Sequence, residues 1–320
     1  MRATAVAQPN IALIKYWGKQ NIAENLPATG SLSITLASLT TQMTVKLDDA
    51  LRSDRLQVNG EPAAEMLPRV SACLDHVLGP GRAKAAIDSE CNFPIAAGLA
   101  SSAASFAALV VAASHAAGLQ ADSLTLARAA GRASGSAARS LYGGFVELQA
   151  SATEIQVGTL LTADEWPMQV VVAVTAKAAK KISSGDAMNL SAETSPFYSS
   201  WVEHQEHDLL KARNAVAARD FAALADISEH NCLKMHSVMW GSRPPVVYWN
   251  HATLACMETV RKLQADDVPV FFTIDAGPQV KAVCLPEAAG QVLSALQQTD
   301  GVIDTLSSPL GAGARLLEDG

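Results

Sequence analysis

The segment from Asn92 to Leu119 limits the fold of this chain more than any other. It passes from a loop containing Pro and Gly, Asn92-Phe-Pro-Ile-Ala-Ala-Gly98, through Ser101-Ser102 into an alanine-rich apolar run, Ala103 to Leu119. Interrupted by Ser105, Ser114 and His115, that run is only marginally long enough to cross a bilayer and reads as a helix buried in a protein core. A Gly-containing loop lets backbone N–H groups approach a ligand, and the helix that follows offers unsatisfied first-turn donors and its positive dipole end to an anion. Ala97 to Ser102 is therefore a candidate phosphate cradle, to which Ser101 and Ser102 add hydroxyls. The plainer reading is that one of these serines N-caps a buried helix.

The rest of the chain must supply the layers that cover such a helix. With 320 residues, 49% of them hydrophobic, it can bury a substantial core, and its length favours two domains. A formal charge of −7 argues against nucleic acid or an anionic membrane as partner, so any phosphate site has to be local. Met1 to Pro9 carries one Arg and no apolar core, which does not resemble a signal peptide, and a cytoplasmic protein is expected. Cys73, Cys91, Cys232, Cys256 and Cys284 lack CxxC spacing and suggest packed thiols rather than disulfides or a zinc site. His204 and His207 could face one side of a helix as a metal pair, although a polar run of this kind is more simply a solvated face.

Alternating β-branched and apolar residues predict strands within 3–16 and 31–47, joined by a loop at Asn21 to Gly30. Arg55 to Gly60 reads as a strand ending in an Asn-Gly turn, and residues 63–78 carry helical spacing at Met66, Val70, Cys73, Leu74 and Val77. Asp122 is placed to N-cap a helix reaching Ala133. Val170 to Thr175 reads as a strand buried on both faces, and Trp166-Pro167 before it as the seam between domains at 1–167 and 168–320. Helices are predicted around 195–214, 218–239 and 288–298, and strands at Val268 to Ile274 and Val280 to Leu285. Strands and helices mixed without strict βαβ alternation predict the α+β class.

Four polar clusters break rules that a purely structural segment would keep. Lys15-Tyr16-Trp17-Gly18-Lys19 follows an apolar strand and can aim a cation into a cleft, or can be a solvated strand end. Ser134-Gly-Ser136-Ala-Ala-Arg139 removes bulk and leaves hydroxyls and a guanidinium fork suited to carboxylate or phosphate, though a Ser/Gly turn with one surface Arg also fits. Lys180-Lys181-Ile-Ser-Ser184-Gly-Asp-Ala-Met188 reads as a basic, hydroxyl-rich loop, either solvated or ligand-binding. Asp275 closes the apolar strand Phe272-Thr-Ile274, where a carboxylate is costly unless paired or working; a base role competes there with a turn before Gly277-Pro278. No GxxxxGK[ST], GxSxG or HExxH is present, and Gly311-Ala-Gly313 lacks the rest of a dinucleotide fingerprint.

In this order, Asn10 to Lys19, Leu32 to Leu36, Val58-Asn-Gly-Glu61, Asn92 to Ala104, Ser134 to Phe145, Ser191 to Ser195, Met235-His236 and Asp275 to Pro278 resemble the diphosphomevalonate decarboxylase family of the GHMP kinase superfamily. The resemblance implies a ribosomal-S5-domain-2-like, ATP-binding N-terminal domain and a ferredoxin-like C-terminal domain, with the active site in the cleft between them. It implies that ATP phosphorylates the tertiary 3-hydroxyl of mevalonate 5-diphosphate, and that phosphate and CO2 then leave together to give isopentenyl diphosphate. Asp275 would orient and deprotonate the alcohol, Arg139 would grip the carboxylate that becomes CO2, and Lys15 would stand with them as the third catalytic residue. Tyr16, Lys19, Ser134, Ser136 and Ser184 would bind substrate, with Met188 lining the pocket.

On the same resemblance, Ala97, Gly98, Leu99, Ala100, Ser101 and Ser102 would hold the ATP phosphates, with one of Lys180 and Lys181 reaching the nucleotide. Mg2+ would neutralise those phosphates, Ser102 being the one side chain suggested for the metal, and the enzyme would be a homodimer. Four departures stand out: Ile95 and Ala138 replace Thr and Cys, Gly185 replaces Thr, and Gln279 replaces Asn. The last two are expected near the substrate, which keeps in view a mevalonate 5-phosphate decarboxylase or another small-molecule kinase of the superfamily.

Overall fold

The structure is a computed structural model that describes residues 1–93, 100–178 and 181–317. In chain order its strands and helices are β1 (Arg2–Ala7), β2 (Asn10–Ile14), β3 (Lys19–Asn21), β4 (Leu26–Pro27), β5 (Ser31–Thr35), β6 (Thr41–Asp48), β7 (Arg55–Val58), β8 (Glu61–Pro62), α1 (Leu67–Leu78), β9 (Lys84–Cys91), α2 (Ser101–Ala116), α3 (Ser123–Ala133), β10 (Phe145–Ala150), β11 (Ile155–Leu161), β12 (Gln169–Val174), α4 (Ser184–Thr194), α5 (Tyr198–Ala218), α6 (Phe221–Trp240), α7 (His251–Ala265), β13 (Val270–Thr273), β14 (Val280–Cys284), α8 (Ala289–Gln297), β15 (Asp304–Pro309) and β16 (Arg315–Leu317). This is the α+β class expected.

The alanine-rich run forms α2, which lies against β1 and β6 of a six-stranded sheet ordered β16-β1-β6-β9-β7-β8 and is covered by α1 and α3. Ala103, Ala104, Ala107, Ala108, Ala112, Ala113 and Ala116 are all buried. A helix apolar on every side has to be enclosed, and alanines let the layers on all sides approach its backbone closely. The capping reading of the serines fails: the N-cap position is Ala100, in the left-handed conformation at φ 55°, with no side-chain cap. Asp122 does cap α3, accepting from Thr125 N–H at 2.8 Å.

A buried ion pair fastens the edge of this sheet. Arg82 donates both terminal nitrogens to Asp54, at 2.8 and 2.6 Å, and Ala85 N–H of β9 donates to the same carboxylate at 2.8 Å. Burial alone would raise the Asp54 pKa, but the Arg82 fork and the backbone donor override it and hold the carboxyl well below its usual range. Asp54→Ala leaves the buried Arg82 guanidinium with Asp75, at 2.9 Å, as its remaining carboxylate and is expected to cost about 3 kcal/mol in urea denaturation at pH 7. Because the folded pKa is depressed, that stabilisation is complete above the unfolded carboxyl range near ~4 and shrinks as pH falls below it, so the mutant and parent curves converge in acid.

A second, four-stranded sheet runs β11-β10-β5-β2, and a third runs β13-β14-β12-β15, all antiparallel. Along the chain the third sheet follows the β-α-β-β-α-β order of a ferredoxin-like unit, with α4 to α7 as the first crossover and α8 as the second. β12 is buried on both faces as predicted: Val170 and Val172 join one core with Ile11, Leu32 and Phe145, while Val171 and Ala173 join another with Cys256, Phe272 and Val292. The first of these cores is continuous between the second and third sheets. The last strand, β16, returns to pair with β1.

Local readings missed several elements. The predicted loop at Asn21 to Gly30 contains half of a short hairpin, β3 with β4. The loop read at Lys180 to Met188 is largely the start of α4, because Ser183 accepts from Asp186 N–H at 3.1 Å and donates to its carboxylate at 2.7 Å, a capping pair that overrides the Gly and Ser content. β8, β9, β10, β11, β15, β16 and α7 lie outside the predicted elements. His204 and His207 are exposed on α5, His204 bonded to the Ser200 carbonyl, and among the described residues no cluster of three metal-ligating side chains occurs.

Candidate active site

A cavity of about 790 Å3 opens where the first and second sheets meet α4 and the end of β13. Lys15, Tyr16, Lys19, Ala100, Ser101, Ser102, Ser134, Ser136, Arg139, Ser184, Met188 and Asp275 all line it. Of the remaining predicted residues, Lys181 is exposed and absent from the lining, while Ala97, Gly98, Leu99 and Lys180, like the departure Ile95, lie outside the described residues.

At its floor lies an ion pair that spans the chain. Lys15 follows β2 and is 1% exposed; its Nζ donates to Asp275 Oδ1 at 2.7 Å and to the Ala12 carbonyl at 2.9 Å. The other carboxylate oxygen faces Lys281 Nζ at 3.3 Å, on β14 and fully buried. Burial works to raise the Asp275 pKa, but the two ammonium groups outweigh it and hold the carboxyl well below the usual range. Asp275 keeps 25% of its side chain open to the cavity, so a permanently ionised acceptor faces whatever binds there.

Arg139 is the opposite case: a buried cation whose hydrogen-bond partners among the described residues are all neutral. Its Nε donates to Ser33 Oγ at 3.0 Å, Nη1 to Ser31 Oγ at 2.6 Å and Nη2 to Asn10 Oδ1 at 3.3 Å. Burial pushes its pKa down to about 10, which still leaves it charged at neutral pH. A desolvated guanidinium without a carboxylate in contact is costly, and a bidentate anion would offset that cost. Asn10 fixes the neighbouring turn by donating to the Ser136 carbonyl and to Ser140 Oγ.

Tyr16 points its buried hydroxyl into the same space without a hydrogen-bond partner among the described residues, and burial raises its pKa to about 12, so it remains a neutral donor. The ring sits so close to residue 135 that a Cβ there would come within 2.5 Å of the hydroxyl, which is why glycine occupies the middle of Ser134-Gly-Ser136. Ser134 Oγ lies 3.4 Å from Ser102 Oγ and 3.5 Å from Ser136 Oγ, a line of hydroxyls from α2 across the cavity. Lys19, its pKa lowered by burial and then by Arg69, lies near the first turn of α4 beside Gly185.

Sequence reasoning missed Lys281, Asn10, Ser31, Ser33 and Arg69. Two signals were there to find: a single Lys in the otherwise apolar strand Val280 to Cys284, and two serines alternating with Leu32 and Ile34 on one face of β5. Gln279 was expected near the substrate; instead it accepts from Thr175 N–H at 2.6 Å, donates to the Ala176 carbonyl at 2.7 Å and is not in the lining. Gly185 does line the cavity, and Ala138 is core.

Among the described lining residues, five cations, Lys15, Lys19, Arg69, Arg132 and Arg139, stand against two carboxylates, Glu65 and Asp275, with Arg132 paired to Glu24 beside the cavity, so an acidic protein concentrates positive charge here. That field suits polyanions. Hydroxyls with no acidic cage suit a Mg2+ ion that arrives on phosphate oxygens rather than one held by the protein alone.

Two family models match: the diphosphomevalonate decarboxylase-like N-terminal domain over residues 7–157 and the mevalonate 5-diphosphate decarboxylase C-terminal domain over 170–308. The diphosphomevalonate decarboxylase of Candida albicans is 31% identical over 345 residues, covering 99% of this chain and 95% of its own. The crystal structure of mevalonate diphosphate decarboxylase from Staphylococcus aureus superposes with a TM-score of 0.93 at 34% identity, covering 99% of this chain and 98% of that one. MDDEF, solved in complex with MVAPP, AMPPCP and magnesium, superposes at 0.92 and 34% identity, covering 100% and 99%.

Proposed function

We propose a reaction for this chain from one premise: it belongs to the diphosphomevalonate decarboxylase family. It is an ATP-dependent decarboxylase that converts mevalonate 5-diphosphate to isopentenyl diphosphate, releasing ADP, phosphate and CO2. The observation that carries this reading is the pairing, in one cationic cavity, of an ionised carboxylate beside two lysines with a buried arginine that lacks an anion.

In the proposed mechanism Asp275 accepts a hydrogen bond from the tertiary hydroxyl and aligns its oxygen with the γ-phosphorus of ATP. Phosphoryl transfer needs positioning and charge neutralisation more than a strong base, so the depressed pKa of Asp275 is no obstacle: the alcohol proton passes to its carboxylate late, as the O–P bond forms, and from there to solvent. Lys15 and Lys281 fix the carboxylate. Arg139 binds the substrate carboxylate; the C1–C2 bond then breaks, its electron pair forms the C2–C3 double bond, and the C3–O bond releases phosphate. Ser101 and Ser102, at the head of α2, would hold Mg2+ arriving with the nucleotide, which would supply neutralisation of the phosphate charge. Tyr16, Lys19, Ser134, Ser136 and Ser184 take the substrate's diphosphate and polar groups, and Met188 closes the apolar side. The proposed domains divide at 167/168, with β16 returning to the first. Following the family's usual state, the working form is a cytoplasmic homodimer; among the described residues no helix is long and apolar enough to cross a membrane.

Incubation with ATP, Mg2+ and mevalonate 5-diphosphate is expected to release CO2 and phosphate in equal amounts; ADP without CO2, or a stable phosphorylated product, overturns the reading in favour of a kinase. With mevalonate 5-phosphate, kcat/KM is expected to fall by at least about a hundredfold, because cations placed for the missing phosphate stay unpaired.

A further inference from the structure

The Met235-His236 motif and the buried thiol of Cys232 take no part in the chemistry above, yet both sit behind it. β13 ends at Thr273, so the peptide of Ile274, the residue before Asp275, has left the strand ladder. Its N–H donates to Cys232 Sγ at 3.2 Å; its carbonyl lies 3.5 Å from the same Sγ and 3.2 Å from His236 Nε2, a nitrogen shared with the Trp249 indole N–H, also at 3.2 Å. Both side chains belong to α6, one turn apart, and both are fully buried. The next residue on that turn serves the other half of the ion pair. Asn231 Oδ1 accepts from Lys15 N–H at 2.8 Å, while Gln205 of α5 donates to the Lys15 carbonyl at 2.7 Å. Asn231 is itself held, donating to Gln205 Oε1 at 2.9 Å and to Asp208 at 2.8 Å, and Lys234 closes the network on Asp208 at 2.6 Å.

We propose that one turn of α6, through Asn231, Cys232 and His236, is the positioning device that sets the Lys15–Asp275 geometry, each side chain acting on a backbone group and none touching substrate. The proposal rests on the role given above to Asp275. Two segments that end their strands here would otherwise have unpaired peptide groups and free play, and side chains from a single helical turn fix both against one rigid frame. The thiol suits this because it both accepts from and donates to the same residue, joining the two peptide groups on either side of Ile274. Burial keeps it protonated by pushing its pKa up, and pushes that of His236 down to about 3, so neither brings a charge beside the ion pair.

Volume and hydrogen bonding can be separated at Cys232. Cys232→Val keeps an apolar side chain, one methyl larger, and removes both hydrogen bonds; Cys232→Ser keeps a group that can make both. In the full chain, Cys232→Val is expected to lower kcat ten- to a hundredfold with KM for either substrate within about twofold, and Cys232→Ser to restore most of it. A packing role predicts the reverse order, since serine buries a hydroxyl where valine buries methyls. Wild-type kcat in Cys232→Val, or Cys232→Ser as impaired as Cys232→Val, overturns the proposal. Should Cys232→Val fail to fold, His236→Gln against His236→Leu poses the same question, with the glutamine expected to retain activity and the leucine to lose it. Asp275→Asn run alongside keeps the two readings apart: if it stays active the role of Asp275 falls, and if it is inactive while Cys232→Val is not, only the positioning falls.

Discussion

Asp275→Asn is expected to lower kcat by about four orders of magnitude, equivalent to ~5 kcal/mol of lost transition-state stabilisation, with ATP binding much less affected. The amide has nearly the shape of the carboxylate but no charge, and Lys15 and Lys281 would then face each other across it without a counter-ion. Leaving buried cations uncompensated costs about 3 kcal/mol of stability as well. Activity is therefore read on protein shown by circular dichroism and ATP affinity to be folded. Because the two lysines hold the Asp275 carboxyl below its usual range, the native enzyme should show no acid limb near pH 4–6 from this group. Single-turnover quench-flow, following ADP and CO2 separately, tests the step assigned: both should fall together, because phosphorylation comes first.

Arg139→Met is expected to reduce kcat/KM about a thousandfold or more while leaving the fold no less stable. The guanidinium is 2% exposed and its partners Ser31, Ser33 and Asn10 are neutral, so removing it deletes a desolvated charge that nothing in contact compensates. An unchanged or raised Tm beside lost activity is the signature of a group retained for function at the expense of stability. Arg139→Lys should rescue little, since a point charge cannot reproduce a fork aligned by three acceptors. A variant that still phosphorylates substrate but no longer releases CO2 would place Arg139 in the elimination alone; loss of substrate affinity would place it in binding.

Much of the fold was legible because its signals are local. The alanine run of α2, the two-faced apolar strand β12, the Asp122 cap and the Asn-Gly turn after β7 each follow from residues adjacent in sequence. The failures have the same origin. β10, with Glu147 inside it, and β15, with its Ser-Ser-Pro ending, owe their strand conformation to pairing with β5 and β12, contacts that no window along the chain contains. The helix α4 was hidden by its Gly and Ser content, and only the Ser183–Asp186 cap marked it.

Residue types in order along the chain were enough to assign the family and to nominate Lys15, Arg139 and Asp275, since each breaks the apolar or small-residue character of its own segment. The tertiary structure decided what those residues are paired with. Asp275 meets a lysine 260 positions away, its second oxygen meets Lys281, Arg139 rests on serines more than a hundred residues distant, and α6 holds the backbone behind the ion pair. Periodicity reports which side of an element faces inward, whereas a pKa, an unpartnered hydroxyl or a carboxylate clamped at both oxygens depends on what the folded chain brings within about 3 Å of it.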